Sequence, residues 1–212
     1  MKKQIIAAAA AAMICVGAIG GTFAYLTSQT ETVNNTFTVG NNVAFAEDGG
    51  LDEAKVNELG EAEPGAERVT KNEYKLLPGH EYTKDPTVHI KGGSEPCYVF
   101  VHVENGISGI EDSTQTIAAQ IEQNWTKVAD KPGFYYWKDG VVTPGVNDTD
   151  LIVFSKFGVK ENAKYEELKT VAEGGNSITI TACLIQADGF TDANEAVNAL
   201  PTEFLNPGAA AN

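Results

Sequence analysis

Two stretches of the chain alternate strictly between two sets of side chains, and this alternation narrows the fold more than any other feature. In Cys97-Tyr98-Val99-Phe100-Val101-His102-Val103-Glu104 the odd positions are small and apolar, while the even ones are Tyr, Phe, His and Glu. In residues 177–187, Ile178, Ile180, Ala182 and Leu184 alternate with Thr179, Thr181, Cys183 and Ile185. Neighbouring side chains of a strand point to opposite faces, so a period of two calls for β-strands. The Cys/Val face of 97–105 is expected to meet the core, and the Tyr/Phe/His/Glu face to be partly covered.

Further strands are expected at 33–45, where Val33, Phe37, Val39, Val43 and Phe45 keep odd spacing, and at 87–91, joined to 97–105 by Gly92-Gly93-Ser94. Others are expected from Trp125, at the aromatic run Phe134-Tyr135-Tyr136-Trp137 with its Lys138-Asp139-Gly140 turn, and at 151–157. Leu76-Leu77-Pro78-Gly79 and Asp85-Pro86 read as breaks. Short helices are expected at 113–124, capped by Ser113 or Thr114, and at 192–200, ended by Pro201. Seven or eight strands without a βαβ unit or internal repeat describe an all-β fold, an antiparallel β-sandwich of the jelly-roll kind with a few short helices.

The chain has 212 residues, 42% of them hydrophobic, enough for one real core. Its 29 acidic and 15 basic residues leave a formal net charge of −14, which disfavours nucleic acid and anionic lipid as partners of the whole surface. The acids crowd into 47–68, which has almost no large apolar residue. That insertion reads as a mobile, solvated surface loop with a short helix at 51–59, and it lacks the oxygen ladder of a calcium hand.

The first residues set the expected compartment. Met1-Lys2-Lys3 is followed by an uncharged run from Ile5 to Ile19, a Gly20-Gly21 break and Thr22-Phe23-Ala24. This is the layout of a secretory signal peptide over 1–24, cut between Ala24 and Tyr25; a retained membrane anchor is the rival. The remaining organisation is expected to be an extended segment at 25–35, a sandwich domain at 36–206 that carries the acidic insertion, and a tail at 207–212.

Chemistry is sparse. No zinc-protease helix motif, phosphate loop, nucleophile elbow or dinucleotide fingerprint occurs, so neither catalytic residues nor a cofactor are expected. The weak metal candidates are His89, His102 and Glu104, on the premise that their strands neighbour one another. The blander reading makes them ordinary histidines. Asn147-Asp148-Thr149-Asp150 could hold calcium or cap a turn, with the turn favoured. Cys97 and Cys183 could form an inter-strand disulfide or pack as free thiols, with free thiols slightly preferred. The aromatic run could stack on sugars or serve the core.

Several blocks carry a resemblance. Gly20-Gly21-Thr22-Phe23-Ala24-Tyr25-Leu26-Thr27, Asn35-Thr36-Phe37-Thr38-Val39-Gly40, Thr83-Lys84-Asp85-Pro86-Thr87-Val88, Cys97-Tyr98-Val99-Phe100-Val101, Phe134-Tyr135-Tyr136-Trp137 and Ile185-Gln186-Ala187-Asp188-Gly189-Phe190 follow one another along the chain. Together they resemble the TasA/camelysin-type proteins, whose signals are removed by a SipW-type signal peptidase. Cys97 departs from the small residue expected there.

The resemblance implies a jelly-roll sandwich secreted to the extracellular matrix or cell surface of a Gram-positive bacterium, where it is a subunit of biofilm matrix fibres. The implied partners are further copies of itself, head to tail, the signal peptidase and other matrix proteins. In such fibres the segment freed by cleavage adds as a strand to the next subunit. The donor residues implied here are Tyr25, Leu26, Thr27, Ser28, Gln29, Thr30 and Val33. Because camelysin-like members have been described as surface metalloproteases, a protease dependent on His80, His89 or His102 is a second reading, and a monomeric adhesin using the aromatic run is a third.

Overall fold

The structure, a computed structural model, describes residues 27–29, 42–47 and 49–207. The two alternating stretches become its longest strands, β6 (Cys97–Asn105) and β11 (Ile178–Gln186). They pair antiparallel along their whole length, with Val101 opposite Ala182. β6 also pairs with β8 (Phe134–Trp137), which pairs with β7 (Trp125–Lys127), and β1 (Thr27–Gln29) lies on the outer side of β11. The result is a five-stranded sheet in the order β1-β11-β6-β8-β7. A second sheet orders β3 (Arg68–Val69), β2 (Leu51–Ala54), β5 (Thr87–Ile90) and β9 (Thr149–Ile152). A two-stranded ribbon joins β4 (Glu81–Thr83) to β10 (Lys156–Gly158). Every named pairing is antiparallel.

The odd face of β6 and the even face of β11 form one core with the smaller sheets. Val99, Val101, Val103, Ala182 and Leu184 are in one buried cluster with Val88, Ile90, Leu151, Tyr82 and Phe157. The opposite face is not merely partly covered. Tyr98, Phe100, Phe134, Cys183 and Ile185 form a second buried cluster with Ala193, Ala196, Val197, Leu200 and Phe204. These last residues belong to a helical cap: α3 (Ala193–Ala196), a 3-10 turn (Val197–Ala199) and α4 (Thr202–Leu205). Seven consecutive residues of β6, from Cys97 to Val103, are therefore buried, because the sheet is dry on both sides. Asp192 starts the cap by accepting from the Glu195 N–H at 2.9 Å.

Several expectations need correction. Residues 51–59 do not form a helix; the chain is extended in β2, and the ends of the acidic insertion are woven into the second sheet. Asp52 and Glu53 are buried because cations meet them, Arg68 from β3 and Lys84 beyond β4. The single strand expected at 151–157 is two, β9 and β10, in different sheets. β5 and β6 are not neighbouring strands either, since each belongs to a different sheet.

The first internal helix, α1 (Ile117–Asn124), is capped by Thr116, whose hydroxyl accepts from the Ala119 N–H, rather than by Ser113 or Thr114. A further helix, α2 (Tyr165–Glu173), had no expectation. It buries only Leu168, so its apolar stripe is too thin to read. Of the strand expected at 33–45, residues 33–41 lie outside the described residues. Val43 is buried, and Phe45 bridges to Ile90.

Candidate assembly edge

Among the described residues, β11 has β6 on one side and the short β1 on the other. Thr27, Ser28 and Gln29 of β1 stand opposite Ile185, Leu184 and Cys183. The Gly106 N–H donates to the Ser177 C=O, and the Ala187 N–H to the Pro96 C=O, so odd-numbered residues here direct their backbone groups at β6. By alternation, Ile178, Ile180, Ala182, Leu184 and Gln186 direct theirs outward. Among the described residues, no strand pairs with the outer side of β11 between Ile178 and Ala182. Unpaired edge groups of this kind are a template for an added strand.

Two adjoining cavities flank this free edge, of about 430 and about 600 Å³. Both are lined by Lys71, Asn72, Lys84, Ser177 and Ile178. One also reaches Ile180 and Thr181, and the other reaches Tyr74 and Phe157. The groove thus has the outer edge of β11, unpaired there among the described residues, on one wall and polar groups of the β2–β3 region on the other. Thr181 is half-buried, and its hydroxyl has no hydrogen-bond partner among the described residues.

A network of charges underlies the polar wall. Asp52 accepts from Arg68 Nε at 2.7 Å and bonds His89 Nε2 at 2.8 Å. His89 Nδ1 bonds Asp150 at 2.7 Å, and Arg68 Nη1 donates to Asp85 at 2.6 Å. Burial pulls the His89 pKa down, but its bonds to Asp52 and Asp150 outweigh this and hold it above the ordinary value. Asp85 also accepts from the Ala54 N–H at 2.7 Å, so the break before Pro86 ties β2 to the chain entering β5.

The three weak metal candidates do not converge. His89 lies in β5 between two aspartates, whereas His102 and Glu104 lie in β6 of the other sheet. His102 stacks on Phe134 with ring centroids 4.2 Å apart, and burial lowers its pKa. His80 bonds the Leu59 carbonyl and packs edge-on to Tyr82. Among the described residues, no group of three or more His, Cys, Asp or Glu side chains is arranged to hold a metal ion.

Cys97 and Cys183 are free and buried on opposite faces of the five-stranded sheet, which no inter-strand disulfide can span. Residues 147–150 are not a self-capped turn: Asp148 accepts from the distant Gly92 N–H, and Thr149 and Asp150 open β9, where Asp150 bonds His89. Phe134 and Tyr135 are buried, serving the core. Of the donor and cleavage residues, Ala24, Tyr25, Leu26, Thr30 and Val33 lie outside the described residues, while Thr27, Ser28 and Gln29 lie on β11. The Asp52/Glu53/Arg68/Lys84/Asp85/His89 network went unread, although Thr83-Lys84-Asp85-Pro86 stood out as a block. Comparison with protein-family models, curated proteins and solved structures gives no match to this chain.

Proposed function

We propose that this chain is an exported structural subunit of an extracellular biofilm-type fibre, akin to the TasA/camelysin-type proteins and sharing their jelly-roll form of sandwich. Copies join when the N-terminal segment of one adds to the outer edge of β11 in the next. The observation that carries this reading is the position of β1. The described part of the implied donor lies antiparallel on β11, at the end of an edge that no other strand among the described residues pairs with.

The three described residues of β1 make few bonds, and a short pairing of this kind is readily displaced. The same segment of another copy meets the same partners in the same register, so exchange from within the chain to between chains costs little. In that register a neighbour's Val33 falls opposite Thr179, in the groove walled by Ile178 and Ile180. Backbone bonds supply the affinity, as in strand addition generally. Head-to-tail addition does not close on itself, so it grows a filament. Removal of residues 1–24 by a SipW-type peptidase frees the donor and acts as the switch.

The test is deletion of residues 25–32 from the processed protein, followed by negative-stain microscopy. The expected result is folded single particles without fibres. Abundant normal fibres from the truncated protein overturn the reading.

A further inference from the structure

Beneath the groove, one buried carboxylate touches both an amine and a side-chain amide. The side chains of Lys84 and Glu53 are 9% and 6% exposed. Lys84 Nζ donates to Glu53 Oε2 at 2.5 Å, and Asn72 Nδ2 donates to Glu53 Oε1 at 2.9 Å. Asn72 is further fixed by backbone. Its Oδ1 accepts from the Val56 N–H at 3.0 Å, and its Nδ2 donates to the Ala54 C=O at 2.9 Å. These two contacts decide which end of the amide is oxygen.

Amide formation needs a nucleophilic amine, an acyl carbon whose oxygen faces a donor, and a group that moves protons between amine and leaving nitrogen. Lys84, Asn72 with Val56 N–H, and Glu53 supply these in turn. Tyr74 packs beside them, edge-on to Phe157 at 5.0 Å, with its hydroxyl on the Thr83 carbonyl. Burial, followed by the charge of Glu53, raises the Tyr74 pKa. An isolated buried ion pair is a weak source of stability, because desolvation offsets the attraction. A covalent amide at the same place removes both charges.

We propose that Lys84 and Asn72 become joined by an intramolecular isopeptide bond, with Glu53 as the proton carrier. The Lys84 ammonium gives one proton to Glu53, and the free amine attacks Asn72 Cγ. The N–C bond forms as the carbonyl pair moves to Oδ1, held by the Val56 N–H. Glu53 protonates Nδ2 and takes the second proton from the attacking nitrogen. The Cγ–Nδ2 bond then breaks, the carbonyl re-forms, and ammonia picks up the remaining proton. One ammonium and one amide become one substituted amide and one ammonium ion, and Glu53 returns to carboxylate. No oxidant or cofactor is consumed. Lys84 and Asn72 line both cavities, which gives the ammonium a path out. The bond ties the segment after β3 to the end of β4, and it forms within one copy whether or not copies assemble.

Intact-mass measurement and tryptic mapping of the natively purified full chain test this. The wild-type mass is expected about 17 Da below that of its sequence, the loss of one ammonia. Trypsin should release a branched species joining 72–75 to 76–91, since an acylated Lys84 is not cut. Glu53→Gln and Lys84→Arg are expected at full mass with no branch. If neither variant folds, the wild-type digest alone decides. Full wild-type mass with 72–75 recovered unlinked overturns the proposal. So does a 17 Da loss without a branch, the mark of a cyclised asparagine elsewhere. A link from Lys84 to Glu53 with about 18 Da lost as water, or a branch that persists in Glu53→Gln, overturns the assigned roles.

Discussion

Replacing Asp52 by Asn keeps the shape of a buried side chain and removes its charge. Asp52 is 9% exposed and holds two cations, Arg68 at 2.7 Å and His89 at 2.8 Å. Hydrogen bonds to a charged partner contribute about 1.5–3 kcal/mol each. Asp85 still holds Arg68 and Asp150 still holds His89, so the lower end of the combined loss applies. The expected destabilisation is about 3 kcal/mol, or roughly 6–12 °C in Tm for a chain of this size. Urea unfolding followed by the fluorescence of Trp125 and Trp137, packed edge-to-face at 5.3 Å, measures it.

The same variant has a signed pH dependence. The folded-state pKa of His89 is raised above the ordinary 6.5. The stability this provides is fully present below the unfolded value and is lost as pH rises through the folded one. Asp52→Asn should therefore cost most at about pH 5.5, and its cost should fall as pH rises through the folded-state value of His89. A penalty that does not change with pH, or a cost below about 0.5 kcal/mol, would refute the claim that Asp52 anchors a charged network.

Ile180→Pro removes an outward N–H without touching the ladder to β6, so a folded monomer by circular dichroism that no longer forms filaments is expected. Phe204→Ala empties the centre of the helical cap, where Phe204 meets Phe134 edge-on at 5.6 Å. Thermal unfolding should show a loss of about 3–5 kcal/mol. Burial pushes the thiols of Cys97 and Cys183 up to about 12, so neither should react with iodoacetamide near neutral pH until the protein is denatured. Gly60 has φ +76° and an added Cβ would lie 2.3 Å from the Tyr82 ring, so Gly60→Ala should lower stability by more than about 1 kcal/mol in the same denaturation assay.

Strands with strict alternation were legible because each has two faces with different neighbours, as in β6 and β11. The helix at α1 was legible through its local spacing, although its cap lies at Thr116, and the helical stretch of 192–200 through the stop at Pro201, whereas its Asp192 cap was not read. Charge pairing was not legible. Asp52 and Glu53 look like surface acids until Arg68 and Lys84 are brought to them from 16 and 31 residues away. Sheet membership was hidden for the same reason. Gly92-Gly93-Ser94 marks a turn but does not say whether the chain returns beside itself or crosses to another layer. Asn72 carried no local signal, since its partners are two backbone groups and one distant carboxylate.

The central sheet is oily on both of its broad sides, and the lid over one side follows every strand in chain order. A polypeptide emerging head first, from a ribosome or through a membrane pore, would complete the wall before its cover arrives. Until the stretch from Ala193 to Phe204 appears, Tyr98, Phe100 and Ile185 face water, and the unfinished molecule is greasy and prone to stick to its neighbours. A nick between β11 and the lid is expected to re-expose that same apolar face in a finished protein.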